Sequence, residues 1–77
     1  MSIKVRYFAS LKESLGRSED DLSFTHSLTV REVWNRANPD QSSPDNILAA
    51  INMDYVEWDS PVVDGDIVAF FPPVTGG

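Results

Sequence analysis

The residues best placed to do chemistry are the last two, Gly76 and Gly77, which directly follow the segment Phe70-Phe71-Pro72-Pro73-Val74-Thr75. Neither glycine has a Cβ, so a tail that ends in them can enter a narrow active site. The proline pair stiffens the path out of the preceding strand, and the four residues beyond it span at most roughly 14 Å when extended. A frayed terminus is the alternative. The succession of an aromatic strand, two prolines and two glycines favours a functional tail.

The group that such a tail delivers is the C-terminal carboxylate of Gly77. Its pKa of about 3.3–3.7 keeps it ionised at neutral pH, which makes it a poor electrophile. It would first have to be converted to a mixed anhydride, most naturally with ATP on another enzyme. The activated carbonyl can then act as an acyl donor, or exchange oxygen for sulfur to give a thiocarboxylate. A carrier of this kind needs no catalytic side chain of its own.

Conventional catalytic groups are nearly absent from the sequence. It contains no cysteine, which excludes a disulfide scaffold, a Cys-ligated zinc site and a cysteine nucleophile. The one histidine, His26, could be combined with Ser27 or Ser60 into a triad, but nothing fixes that geometry. Three aspartates lack the spacing of a calcium loop and are typical of turns and solvated faces: Asp59, Asp64 and Asp66. We therefore expect no bound metal or cofactor.

The charges are distributed unevenly along the chain. The net charge is −6, all six basic residues lie within the first 36 positions, and the remaining positions hold seven carboxylates. The acidic half that leads into the tail would be steered toward a basic partner, although an acidic surface also serves solubility. No stripe of basic residues indicates nucleic-acid binding. No apolar run is suited to a signal peptide or a membrane span. We expect a cytoplasmic protein.

The N-terminal third predicts two strands and a helical turn. Residues 3–9 alternate as a strand, in which the aromatic Phe8 shares one face with two cations. A capping box between Ser10 and Glu13 predicts the start of a short helix. Residues 21–25 alternate again, as a second strand that could pair antiparallel with the first.

The rest of the chain predicts one good helix and three more strands. The helix begins at Thr29, which forms a capping box with Glu32, and ends at Asn38-Pro39. The strands are predicted over residues 47–51, 55–58 and 66–71. A mixed sheet of four to five strands with one main and one short helix is an α+β domain, most economically a β-grasp. We expect a single domain over residues 1–77, with a flexible tail from about residue 72.

The last strand is predicted to be central in the sheet, because it is apolar on both faces. Val68 and Phe70 lie on one face, and Ile67, Ala69 and Phe71 lie on the other. One set must pack against the helix, and the other must be covered by something else. The sequence leaves open which set does which.

The segment Asp64–Gly77 very closely resembles the C-terminal signature of the small, sulfur-carrying subunits of molybdopterin synthase, the ubiquitin-like MoaD family. Ile3–Ala9, Leu11–Glu13 and Leu48–Asn52 are similar to the same family. The resemblance implies a β-grasp fold. It also implies that an adenylating, E1-like enzyme uses ATP to make an acyl adenylate at Gly77, which a sulfur-donating enzyme converts to a thiocarboxylate. The sulfur then goes to cyclic pyranopterin monophosphate inside the large synthase subunit.

The resemblance further implies an interface with that large subunit. Phe71 and Phe8 match docking aromatics of the family, with partial burial against the domain's own sheet as the alternative. Lys12 and Tyr55 align with further contact positions, where the residue type differs from the family pattern. The rest of the tail would thread into the partner: Pro72, Pro73, Val74, Thr75 and Gly76. The family complex is a heterotetramer in which the small subunit is not itself an enzyme.

Three other functions remain open. A sulfur carrier for thiazole or tRNA thiolation would share the fold, the adenylation step and the glycine pair, but the segment Phe70–Thr75 disfavours it. A ubiquitin-like modifier would be joined to lysine side chains through an isopeptide bond. A binding module with an inert tail would need neither activation nor sulfur.

Overall fold

The computed structural model describes residues 2–23, 26–41 and 46–73. No helix in these ranges is long and apolar enough to cross a membrane. The elements follow the chain in the order β1 (Ser2–Tyr7), α1 (Ala9–Leu15), β2 (Glu19–Ser23), β3 (Leu28–Thr29), α2 (Val30–Ala37), β4 (Leu48–Ile51), β5 (Asp54–Val56), β6 (Pro61–Val62) and β7 (Ile67–Phe71).

Five of the strands form one mixed sheet, in the order β2-β1-β7-β4-β5. β1 and β7 run parallel, with Val5 opposite Val68, and the other neighbouring strands run antiparallel. β7 therefore lies at the centre of the sheet, as its apolar character on both faces predicts. With α2 packed on one face, the predicted α+β architecture, a β-grasp with one main and one short helix, is confirmed.

The face of β7 that meets the helix is the one that carries Val68 and Phe70, both with 0% exposure. The Phe70 ring packs edge-on against Trp34 of α2, with the centroids 5.1 Å apart and the planes at 77°. Tyr7 of β1 stacks on the same ring, with the centroids 6.2 Å apart. Alternation along the strand places its other three residues on the opposite face: Ile67, Ala69 and Phe71.

Helix α2 begins as predicted. The Glu32 N–H donates to Thr29 Oγ1 at 3.2 Å, and the Thr29 N–H donates to Glu32 Oε1 at 2.9 Å, which completes a capping box. The backbone hydrogen bond from Thr29 lowers the pKa of the Glu32 carboxyl below its ordinary value of 4.5. The helix ends at Ala37, one residue before Asn38, so the predicted stop is also confirmed.

Helix α1 begins differently from the prediction. The expected capping box between Ser10 and Glu13 is wrong, because the N-cap is Phe8 and no side chain caps the helix. The Phe8 N–H donates to the Phe70 carbonyl oxygen at 3.2 Å, so this residue still belongs to the β1–β7 hydrogen-bond pattern. The chain changes direction only at Ala9, whose φ is +54°. β1 consequently ends at Tyr7 rather than at residue 9.

Other strand limits also differ from the predicted ones. β2 covers residues 19–23 rather than 21–25, whose last two positions lie outside the described residues, and it pairs antiparallel with β1 as predicted. β5 ends at Val56 because Trp58 lies in a turn, where its Nε1 donates to the Ile47 carbonyl oxygen at 3.0 Å. The antiparallel pair β3–β6 is absent from the prediction, since strands of two residues show no alternation.

Candidate functional site

The face of the sheet turned away from α2, called the outer face below, is apolar at its centre. Cross-strand pairing places Ala69 of β7 between Ala50 of β4 and Arg6 of β1. Phe71 lies opposite Leu48, which is itself exposed. No other element of the described chain covers these side chains as α2 covers the opposite face. An exposed apolar patch of this kind is typical of an interaction surface.

An open depression of about 390 Å³ occupies this outer face. The short side chains of Ala50 and Ala69 meet there across β4 and β7, which leaves room between their larger neighbours. Around them stand five large apolar or aromatic residues, Phe8, Met53, Tyr55, Ile67 and Phe71, and the cation Arg6.

Phe71 and Tyr55 form one wall of the depression. Their ring centroids lie 5.5 Å apart, with the planes tilted by 58°. Phe71 is half-buried, whereas Tyr55 keeps 75% of its surface exposed. Phe71 is thus partly buried by its own sheet and still lies on the surface that a partner can reach.

Phe8 lies on the opposite side of the same depression. Its backbone is extended and continues from β1, so the side chain follows the outward alternation of Lys4 and Arg6. The guanidinium carbon of Arg6 lies 5.8 Å from the centroid of the Phe8 ring, within cation–π range. The ring nevertheless remains 43% exposed.

The structure brings together three of the four side chains that the sequence assigned to partner binding: Phe8, Tyr55 and Phe71. Lys12 is exposed on α1 and does not line the depression. Pro72 and Pro73 follow β7 directly and are half-buried. The remaining tail positions, Val74, Thr75, Gly76 and Gly77, lie outside the described residues.

Two of the large apolar lining residues, Ile67 and Met53, are missing from the sequence-based assignment of partner contacts. Ile67 could have been included, because alternation along the strand placed it on the same face as Phe71, one of the expected docking residues. Met53 gave no such signal, because it lies between the predicted strands 47–51 and 55–58, where no alternation assigns it to a face.

A second, smaller depression lies beside the end of α2. Arg17 Nε donates to Asp20 Oδ2 at 2.6 Å, and Arg17 Nη2 donates to the Ala37 carbonyl oxygen at 2.9 Å and to Asn38 Oδ1. The buried Tyr7 hydroxyl donates to Asp20 Oδ2 at 2.9 Å and accepts from Asn38 Nδ2 at 3.0 Å. These polar groups satisfy one another's hydrogen bonds, which explains how the polar side chain of Asn38 can be almost completely buried. Asn38 therefore has a structural role.

Burial raises the pKa of the Tyr7 hydroxyl above its ordinary value of 10.0. The hydroxyl is therefore a neutral hydrogen-bonding group at physiological pH. Within residues 2–23, 26–41 and 46–73, no group of three His, Asp or Glu side chains could hold a metal ion.

Comparison with known sequences finds similarity over nearly the whole chain. The sequence model described as the ThiS family matches residues 5–77. The chain is 37% identical, over 84 aligned positions, to the molybdopterin synthase sulfur carrier subunit of Escherichia coli (strain K12). That alignment covers 97% of this chain and 99% of the relative.

Comparison with solved structures finds the same fold. SAMP1 from Haloferax volcanii superimposes with a TM-score of 0.82 at 24% identity, over 100% of both chains. A chain from the complex of subunits 1 and 2 of the molybdopterin-converting factor of Helicobacter pylori superimposes with a TM-score of 0.69 at 21% identity, also over 100% of both chains. At these identities the likeness establishes the fold alone.

Proposed function

This chain belongs to the ThiS family, and on that premise we propose that it is the sulfur-carrier subunit of a molybdopterin synthase, with Gly77 as the residue that carries the sulfur. The relative from Escherichia coli bears the name of such a subunit. The structural observation that carries the proposal is the path of β7. This strand passes through the centre of the sheet and ends at Phe71, beside the exposed depression, and Pro72 and Pro73 lead on toward the tail.

The chemistry takes place at the Gly77 carboxylate. An E1-like enzyme joins this carboxylate to the AMP part of ATP, and pyrophosphate leaves. A sulfur-donating enzyme then displaces AMP and leaves a thiocarboxylate at Gly77. This chain supplies the acyl group and a thin, extended approach to it, while catalytic side chains are supplied by its partners.

The acceptor of the tail is the large subunit of the synthase. The tail can extend only roughly 14 Å beyond Pro73, so a protein that takes Gly77 into its active site must also lie close to Phe71. The outer face offers that protein an apolar surface, and its depression offers a place for protruding side chains. In the large subunit the sulfur passes to cyclic pyranopterin monophosphate, and the Gly77 carboxylate is regenerated.

The proposal is tested by reconstitution. The thiocarboxylated chain is incubated with the large subunit and cyclic pyranopterin monophosphate, and molybdopterin is measured. The control is the same chain without Gly77, which we expect to give none. Absence of product from the thiocarboxylated wild type would contradict the proposal and favour a carrier for thiazole or tRNA thiolation, or a protein modifier.

A further inference from the structure

Backbone conformations that L-residues rarely adopt are concentrated around the depression. In the described ranges, three residues other than glycine have positive φ: Ala9 at +54°, Asn52 at +50° and Met53 at +75°. Asn52 and Met53 line the depression, and Ala9 directly follows Phe8, which also lines it. Strained backbone is typically retained where function requires it.

The hairpin between β4 and β5 explains how Met53 is held. Asn52 and Met53 are its two central residues, and positive φ at both is the geometry of a type I′ turn, which favours Asn at the first position and Gly at the second. Methionine therefore occupies the position that favours glycine. A bulky side chain in the left-handed region is destabilising relative to glycine.

The conformation of this turn is imposed by the neighbouring strand β7. The Asn52 N–H donates to the Ile67 carbonyl oxygen at 2.9 Å, and the Ile67 N–H donates to Asn52 Oδ1 at 3.0 Å. Asn52 Nδ2 also donates to Asp66 Oδ1 at 3.0 Å. These bonds hold Asn52 in place, and the two-residue connection between the paired residues Ile51 and Asp54 puts Met53 in the left-handed conformation.

The Met53 side chain makes few packing contacts within the domain that could offset the cost of this conformation. It is 95% exposed and stands at the rim of the depression that Phe71 and Tyr55 also line. We propose that Met53 is a docking residue, which contacts the large synthase subunit at the rim of the outer face. This inference rests on the proposed function, since the partner is the protein that accepts the tail beyond Phe71. A flexible, polarisable thioether is well suited to such a contact.

The experiment measures two quantities on the full chain, the melting temperature and the affinity for the purified large subunit by isothermal titration calorimetry. We expect Met53→Gly to raise the melting temperature by about 4–8 °C, because it relieves the left-handed strain. The same variant should weaken binding by about fivefold or more, because the contact is lost. Met53→Leu, which keeps the apolar bulk, should bind within about twofold of the wild type.

Val63→Ala is the matched control, because Val63 is an exposed apolar residue that does not line the depression. It should leave the affinity unchanged. Wild-type affinity of Met53→Gly, or a melting temperature below that of the wild type, would overturn the inference. If the wild type itself does not bind the large subunit, the proposed function fails as well. If Phe71→Ala weakens binding and Met53→Gly does not, only the role of Met53 is wrong.

Discussion

The rings of Tyr55 and Phe71 lie 5.5 Å apart on the outer face of the sheet. The residue next to Phe71, Phe70, points to the opposite side and is completely buried against Trp34. Two consecutive phenylalanines in the central strand thus have separate tasks. Phe70 completes the core, and Phe71 lies on the surface from which the tail departs.

The Phe-Phe pair allows a matched test of this division. Phe70→Ala should lower the free energy of unfolding by about 3–5 kcal/mol, because it removes a fully buried ring. Phe71→Ala should cost about 1 kcal/mol of stability and about 2 kcal/mol of binding free energy to the large subunit. Chemical denaturation and calorimetric titration measure the two effects. A large loss of stability with unchanged affinity in Phe71→Ala would show that Phe71 belongs to the core.

Removal of the Tyr7 hydroxyl should destabilise the fold without affecting docking. Tyr7→Phe leaves Asn38 Nδ2, in a side chain only 2% exposed, without its acceptor, at a cost of about 1–3 kcal/mol in unfolding free energy. Tyr55→Phe is the control, because Tyr55 is largely exposed and its unfolding free energy should change by less than about 0.5 kcal/mol. Equal stability losses in the two variants, measured by urea denaturation, would refute the structural role of the Tyr7 network.

The Glu32 carboxylate should make the stability of α2 depend on pH. Its pKa is lowered in the folded state by the hydrogen bond from the Thr29 N–H. Its stabilising contribution is therefore fully present above the ordinary value of 4.5 and is lost as the pH falls through the lower, folded-state pKa.

Glu32→Gln keeps a side-chain acceptor but cannot titrate, so the gap in unfolding free energy between wild type and variant should shrink as the pH falls below 4.5. Thermal unfolding at a series of pH values measures this gap. A gap that stays constant across that range would mean that the charge of Glu32 contributes nothing to the cap.

Changes at the end of the tail should affect transfer and spare the fold. We expect deletion of Gly77, or addition of one residue after it, to abolish sulfur transfer in the reconstituted synthase. The melting temperature should stay at the wild-type value, because the described core is built from residues that precede the tail. Transfer by either variant at the wild-type rate would contradict the assignment of the reacting carbon to Gly77.

Local patterns were sufficient to predict much of the fold. The capping box of Thr29 and Glu32, the helix stop at Asn38 and the central position of β7 depend on neighbouring residues or on alternation along one strand, and all three are confirmed. The ThiS family model and the relatives likewise confirm the resemblance that the tail and the first strand indicated.

Features that depend on distant partners were predicted less well. Ser10 does not cap α1, because the helix already begins at Ala9, directly after Phe8, whose N–H is held by the Phe70 carbonyl oxygen of a strand far along the chain. The left-handed conformation of Met53 belongs to a two-residue hairpin that β7 holds through Asn52, and a methionine at a position that favours glycine does not predict it. The assignment of Gly77 and of the tail from Val74 onward stays a prediction.

The most direct test of the carrier function is top-down mass spectrometry of the intact chain, produced together with its activating and sulfur-donating enzymes. We expect a species in which one oxygen is replaced by sulfur, with fragment ions that locate the replacement at Gly77. An end group that remains an ordinary carboxylate in the presence of both enzymes and ATP, or sulfur located anywhere else in the chain, would contradict it.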